Sequence, residues 1–512
     1  MEVVCPIDEK RAPEISALLR PPPPREIQDY FDRLLASREC CRLKVKQDGE
    51  HGKEASAVCL STIEILLDYC FPGVYADVEF KEGELLLRDQ MLFGCQHPLN
   101  KIDCLVCSFC FRFIGTLELQ IGRRLFFQDL GLSSSHGCDT GACSDVSNDH
   151  GASDSSDGDD IMDERSCDDS RGCASGSKRA KVPLPKEIVE SLMNGEIVLP
   201  YSDKFSAPPV VPCAGGCQEA YYCSKACADA DWNSFHSLLC TGEKSEAFSA
   251  KALLQFMQHA NETNDIFILA AKAIAYTILR YRKSKANFLT SCKEDAARVM
   301  DKFHMPLLLE AWKPISVGHK RRWWECIALP EDVDPSDEAG FRMEIKELAF
   351  KSLQLLKAAI FDKECEPLFS LDIYGHIIGM FELNNLDLVV ASPVEDYFLY
   401  IDDLPSPEKE EAKKVSQPYL DALGDEYAVS CEGTAFFPLQ SCMNHSCHPN
   451  AKAFKREKDR DGQATIVALK PIPKGEEVTI SYIDEDLPVE GRQVLLADYG
   501  FTCKCSKCQQ ES

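Results

Sequence analysis

The chain has no run of the roughly 20 uninterrupted apolar residues that a bilayer-spanning helix needs. Its first residues, with Glu2, Asp8, Glu9, Lys10 and Arg11, lack the apolar stretch of a secretory leader. The expectation is an intracellular protein with no membrane partner. Positive charge is also scarce. With 83 acidic against 56 basic residues, the net charge of -27 argues against sequence-specific nucleic-acid binding, which needs a basic surface. What the chain has in quantity is cysteine: 27 residues, many at C-x2-C, C-x3-C and C-x-C spacings. In a reducing compartment such spacings mean metal ligands more often than disulfides. A length of 512 residues at 45% apolar composition predicts two to four globular units.

Metal ligation has its clearest signature between Cys104 and Cys240. Cys104-x2-Cys107-x2-Cys110 is followed, after a long interruption, by Cys213-x3-Cys217, Cys223-x3-Cys227 and His236-x3-Cys240. Eight ligands taken in pairs are what two tetrahedral zinc sites require, because each closed site uses four sulfur or nitrogen donors. Cys104 with Cys107, or Cys107 with Cys110, supplies the first pair at equal spacing. Near the end of the chain, Cys503-x-Cys505-x2-Cys508 offers three thiolates that need a fourth. The interruption itself, 131–181, is rich in Ser, Asp and Gly, with eleven acidic residues against one basic between Asp139 and Asp169. Such a composition cannot bury enough apolar area to offset the entropy of ordering, so a disordered loop inserted in the zinc module is expected. Cys138, Cys143, Cys167 and Cys173 lack paired spacing and read as free thiols. Lys178-Arg179-Ala180-Lys181 can act as a short nuclear address.

Helical periodicity covers 25–38 (Ile27, Tyr30, Phe31, Leu34, Leu35) and 55–70 (Cys59, Ile63, Leu66, Cys70). Pro21 to Pro24 ahead of the first reads as a solvated polyproline linker. From Gly73 the composition turns β-rich through Phe80; Lys81 to Glu84 is a turn and Leu85 to Leu87 resumes as strand, which predicts a hairpin. A short helix over 185–193 should stop at Gly195. Asn264 should cap a helix over 265–280 that is apolar nearly all round and hence buried, and 344–361 is another. Trp323-Trp324 reads as core rather than groove. The Pro- and charge-rich 404–414 should be a solvated loop. Strands follow at 434–439, 465–469 and 478–482. Alternation in the last puts Val478, Ile480 and Tyr482 on one face, and a hydroxyl directed inward needs a partner.

One stretch holds more functional side chains than a loop needs: Gln440-Ser441-Cys442-Met443-Asn444-His445-Ser446-Cys447-His448-Pro449-Asn450, followed by Gly475-Glu476-Glu477 and Ile480-Ser481-Tyr482. Together with the terminal Cys503-x-Cys505-x2-Cys508, it resembles the signature of the SET-domain lysine methyltransferases. The earlier cysteine pairs resemble the MYND zinc module. The chain therefore resembles the SET-and-MYND (SMYD-like) proteins, closest in character to the trithorax-related plant SET-domain histone methyltransferases. The resemblance implies an α+β fold: a β-rich SET pseudoknot core, split by a MYND module and a helical insert, with a C-terminal post-SET zinc site.

It also implies a reaction, the transfer of a methyl group from S-adenosyl-L-methionine to a lysine ε-amine. Tyr482 would stand beside the transferring methyl, Tyr499 would line the lysine channel and Phe501 would pack on the cofactor. Asn444, through its side chain, and His445, through its backbone, would hold the amino group and adenine. Gly73 matches the second glycine of a G-x-G turn whose first position here is Phe71, and Asn384 resembles a further cofactor-side asparagine. The family's interleaved bracing would put Cys107, Cys110, Cys223 and Cys227 on one zinc and Cys213, Cys217, His236 and Cys240 on a second. Cys110-Phe111 matches the family's Cys-Phe. Cys447 would complete the third site with Cys503, Cys505 and Cys508, for three zinc ions in all.

The expected organisation is an N-terminal helical region (1–70), SET N-terminal strands (71–103), the MYND module (104–240), a helical insert (241–379), the SET catalytic core (380–502) and a post-SET segment (503–512). The chain stops at Ser512 without the C-terminal helical-repeat domain of several family members, so a more open substrate groove is expected. Histone H3 is the leading substrate, another lysine-containing protein the next, and proline-rich proteins are candidate partners of the MYND module. The expected location is the nucleus, with the cytoplasm also open. The rival is an adaptor with an inactive SET core, supported by Phe71.

Overall fold

The computed structural model describes residues 3–38, 42–46, 72–132, 182–291, 296–318, 321–330, 332–455 and 459–511. The helix expected over 55–70, Phe71, and 133–181 with its four cysteines and basic run lie outside them. Among the described residues the strands are β1 (Leu43–Lys46), β2 (Gly73–Ala76), β3 (Leu85–Asp89), β4 (Phe93–Gln96), β5 (Val211–Pro212), β6 (Tyr221–Tyr222), β7 (Asn385–Val390), β8 (Cys431–Phe436), β9 (Asn444–His445), β10 (Ala451–Ala453), β11 (Ala464–Ala468) and β12 (Thr479–Ile480).

These strands form small sheets. β8 runs antiparallel between β4 and β7, with Phe93 and Asn385 both opposite Phe436. Gly433 makes the close pairing possible, since a Cβ there would lie 2.2 Å from the Cys95 carbonyl. β11 lies between β10 and β3, and β2 pairs with β1. The hairpin expected over 73–87 is therefore absent, because β2 and β3 belong to different sheets. Between them, the Phe80 backbone pairs with Ile472 in both directions (2.9 and 3.0 Å). Distant partners thus win over the local turn, since they bury Phe80, Leu86 and Leu87. β1 lies in a region read as helical. Its Leu43 and Val45 point inward and Lys44 outward, an alternation too short to stand out in the sequence.

One core gathers under this β layer. Ile27 and Phe31 from the helix Pro24–Ala36 join Val45, Val74, Phe80, Leu87, Leu439, Met443, Ile466, Ile472, Val478 and Ile480. Pro24, read as linker, is the first residue of that helix, where its missing N–H costs nothing. A second core is helical, built from Ala250–Thr263, Ile266–Ser291, Ala296–Ser316, Glu338–Ile360 and Leu371–Asn384. Asn264 caps the second of these, its side chain accepting from the Ile266 amide at 3.0 Å. Trp323 is buried there and donates to Glu382 at 3.1 Å. Phe93 of β4 packs into this helical core against Phe381, with ring centroids 5.8 Å apart.

The stretch 404–414 differs from expectation. Only Leu404 to Pro407 is loop, and Glu408–Leu423 is a helix. Its acidic first turn (Glu408, Glu410, Glu411) suits the positive end of the helix dipole. Ala412, Tyr419, Ala422 and Leu423 pack on Tyr397 and Phe398, a burial that local charge density conceals. Lys186–Met193 is helical as expected, with Gly195 at φ +74° just past its end.

Candidate functional site

The Asn-His motif is held by residues far from it in sequence. Asp89, at the end of β3, is fully buried, and its carboxylate accepts from the Leu439 and Gln440 amides (2.8 and 3.0 Å) and from Arg38 (3.0 Å). Burial pushes this carboxyl up, and the Arg38 guanidinium beside it opposes the shift. The turn at Gln440–Cys442 then feeds β9, which pairs parallel with β12 so that Asn444 lies opposite Thr479 and His445 opposite Ile480. Asn450 closes the arrangement. Its amide nitrogen donates to the Glu477 carbonyl (2.8 Å) and its oxygen accepts from Thr479 (2.8 Å).

This crossing brings the predicted site residues together. Asn444 is buried and donates its amide hydrogen to Glu477 Oε1 at 2.6 Å. Gly73 adjoins the same pair: a Cβ there would meet Glu477 Oε1 at 2.6 Å and Asn444 Nδ2 at 3.3 Å. Tyr482 follows β12, its amide donating to His445 Nδ1 (3.0 Å) and its hydroxyl to the Met443 carbonyl (2.6 Å). The partner sought for that hydroxyl thus lies within the chain. The alternation argument needs a second amendment: Thr479 is buried as well as Val478 and Ile480, so β12 is covered on both faces.

The Tyr482 ring lies 5.2 Å from Tyr499 and 6.4 Å from Phe501, and Phe501 lies 6.0 Å from His445, all between centroids. Tyr499 and Phe501 flank Gly500, whose φ of +85° turns the chain back after the helix Val489–Asp498. Burial pushes both phenols up, Tyr499 to about 12 with Glu382 and Asp498 adding to it, and Tyr482 further. Both hydroxyls are protonated at neutral pH. Burial also pulls the His445 imidazole down to about 4. Asn384 ends the helix Leu371–Asn384, buried, with its amide donating to the Met380 carbonyl at 2.7 Å.

Three four-donor groups are present among the described residues, the third drawing on the Asn-His motif itself. Cys107, Cys110, Cys223 and Cys227 form one, Cys213, Cys217, His236 and Cys240 the second, and Cys447, Cys503, Cys505 and Cys508 the third. Within each group the ligand atoms all lie within 4.8 Å of one another, and sets of sulfur and imidazole donors of this kind suit tetrahedral zinc. The ambiguity of the first pair is resolved. Cys104 turns away to the Val429 and Ser430 carbonyls (3.5 and 3.4 Å), and burial pushes its thiol up to about 12. Sequence reasoning missed Asp89 and Arg492, the latter only 1% exposed and within 3.6 Å of Cys508 Sγ. No local signal marks either, since a charged residue in a strand or helix reads as its solvated face.

A model of the SET domain matches residues 360–483, and a model of the MYND finger matches 204–240. The chain is 59% identical over 512 residues to the Arabidopsis thaliana protein named histone-lysine N-methyltransferase ATXR2, an alignment covering all of this chain and 99% of that protein. The chain belongs to the SMYD-like SET-domain protein-lysine methyltransferases. It is also 23% identical over 300 residues to a Gallus gallus protein named protein-lysine N-trimethyltransferase SMYD5, covering 56% of this chain and 63% of that protein. A Dictyostelium discoideum SET and MYND domain-containing protein is 42% identical over 84 residues, 16% of this chain and 20% of its own. As a member of this family, the enzyme transfers methyl groups from S-adenosyl-L-methionine to lysine in proteins and carries zinc. No helix among the described residues is long and apolar enough to cross a membrane.

Proposed function

We propose that the enzyme acts in the nucleus on histone H3, with Tyr482 and Tyr499 at the reacting atoms and Asn444, His445, Gly73, Phe501 and Asn384 around the cofactor. The observation that carries this reading is that Gly73, Asn444 and Glu477 meet at β9, whose second residue, His445, bonds Tyr482 in a ring cluster with Tyr499 and Phe501. The residues fit the cofactor. Asn444 directs its amide hydrogen to Glu477, which leaves its carbonyl oxygen as the acceptor for an ammonium group. Gly73 keeps this wall free of a side chain. When bound, S-adenosyl-L-methionine supplies an electrophilic methyl on a sulfonium.

The chain's own part is placement. The Tyr482 hydroxyl donates to Met443, and a phenol oxygen can accept as well as donate, which suits it to orient a lysine amine. Because burial keeps the phenol protonated, this oxygen orients the amine without binding it as a counter-ion. The Tyr499 and Phe501 rings exclude water beside it, and the amine must arrive uncharged to attack. Holding the reactants at near-attack distance lowers the barrier by about 7–11 kcal/mol at best. The histone reading follows the printed name of the Arabidopsis relative, and nuclear action follows from that substrate. Proline-rich proteins are the proposed partners of the MYND module. The test offers labelled cofactor and the purified enzyme to histone octamers and to a cell extract. Labelling of H3 is expected; label confined to non-histone proteins would move the substrate elsewhere.

A further inference from the structure

The His445 side chain makes two hydrogen bonds, and together they define its chemical state. The Tyr482 amide lies 3.0 Å from Nδ1, and a backbone N–H can only donate, so Nδ1 carries a lone pair. A neutral imidazole then holds its proton on Nε2, which lies 3.2 Å from Cys447 Sγ. The ring is an acceptor toward the backbone of Tyr482 and a donor toward a sulfur of the C-terminal cluster. Neither end can drift, since His445 and Cys447 are both buried.

The cluster needs such donors. Four thiolates around one divalent zinc leave a double negative charge in a buried place, which N–H groups directed at the sulfurs must compensate. The donors include His445 to Cys447, Arg492 to Cys508 at 3.6 Å, and the Cys505 amide to Cys503 at 3.5 Å. Gln493, beside Arg492, exchanges two bonds of 2.9 Å with the Cys503 backbone. Arg492 and Gln493 belong to the helix that leads into Tyr499. The metal site is therefore linked to Tyr499 through this helix, and to Tyr482 through one imidazole.

We propose that His445 is a positioning residue for methyl transfer: its imidazole, as the Nε2–H tautomer, couples the Cys447 sulfur of the C-terminal zinc site to the backbone of Tyr482. The loaded zinc site then determines where Tyr482 stands, a role distinct from any contact of the His445 backbone with the cofactor. The proposal rests on the reading of Tyr482 as the tyrosine at the transferring methyl.

The test compares the zinc-loaded full chain with His445→Phe, which keeps a ring and removes both bonds, and His445→Gln, which keeps an amide able to accept and donate. Zinc release to a chromophoric chelator, cofactor affinity by calorimetry and single-turnover methyl transfer are measured on each. For His445→Phe, one zinc equivalent should leave about 10–100-fold faster, with transfer slowed and cofactor affinity little changed. His445→Gln should recover most of the zinc retention, which filling of space alone does not predict. Release of all zinc from His445→Phe at the wild-type rate overturns the proposal, as does faster release with undiminished transfer. If the Phe variant does not fold, the Gln variant decides: slow release with transfer within a few-fold supports the coupling, and rapid release overturns it. The zinc measurement does not depend on the role of Tyr482. A Tyr482→Phe enzyme at full rate would sink the catalytic reading and leave the metal comparison standing.

Discussion

Asn444 lies on β9 and Tyr482 just beyond its partner β12, and on the proposed reading they do different work. On the proposed reading the Tyr482 oxygen meets the reacting amine, so its removal should affect the transition state alone. Tyr482→Phe is expected to lower single-turnover transfer by about 100–1,000-fold, equivalent to about 2.7–4 kcal/mol, with cofactor affinity within a few-fold. Asn444 should act on the ground state. Loss of its charge-assisted acceptor in Asn444→Ala should weaken cofactor binding by about 1.5–3 kcal/mol, read by calorimetry. Gly73→Ala tests the same wall from the other side, because its new Cβ would meet Glu477 Oε1 at 2.6 Å. The displaced carboxylate should release Asn444 and weaken cofactor binding, while the thermal midpoint moves by only a few degrees, since the neighbours struck are side-chain ends rather than backbone. Unchanged affinity in either variant would remove that residue from the cofactor wall.

At the scale of elements, the site is a parallel crossing of two two-residue strands, too short to hold itself. Asp89 does much of the holding, since one buried carboxylate satisfies two backbone amides at the start of the motif and a cation from the N-terminal helical segment. Asp89→Ala leaves those amides and the Arg38 guanidinium without their acceptor. It should cost about 3–5 kcal/mol of stability, seen as a lower midpoint in denaturant unfolding. A loss below about 1 kcal/mol would mean that water replaces the carboxylate and that the turn is anchored otherwise. The helix at Glu408–Leu423 teaches the complementary lesson. Its charge and prolines read as a loop, and apolar surface from distant helices, Tyr397 and Phe398 included, makes the helix favourable.

For the whole molecule, zinc is the feature on which distant parts depend. Twelve ligands in three sets predict three zinc ions per chain by metal analysis under reducing conditions. Fewer than three would dismantle one of the sets. The C-terminal set draws Cys447 from the Asn-His motif and the rest from the last residues, so on the proposed reading it would clamp Tyr499 and Phe501 over the cofactor wall. Stripping zinc with a chelator should therefore abolish calorimetric binding of S-adenosyl-L-methionine, and replenishing zinc should restore it. Metal-free protein that still binds the cofactor at native affinity would show that the pocket stands without its clamp.

The ligand spacings and the amphipathic helices were legible in the sequence, because each is written in residues near one another and follows from fixed geometry, and the Asn-His motif was legible through its resemblance to the SET signature. A C-x3-C pair faces a metal and a 3.6-residue period faces a core whatever lies elsewhere. The pairing of β2 with β1 and of β3 with β11, the turning away of Cys104, the helix after Pro407 and the anchoring by Asp89 were decided only in three dimensions. Each depends on a partner far along the chain, and the energy that selects it is burial against that partner. A charged residue meant for the interior looks, in sequence, the same as one meant for solvent. The two bonds of the His445 ring are the sharpest instance: the motif names the residue, but only the fold brings Tyr482 to one nitrogen and Cys447 to the other.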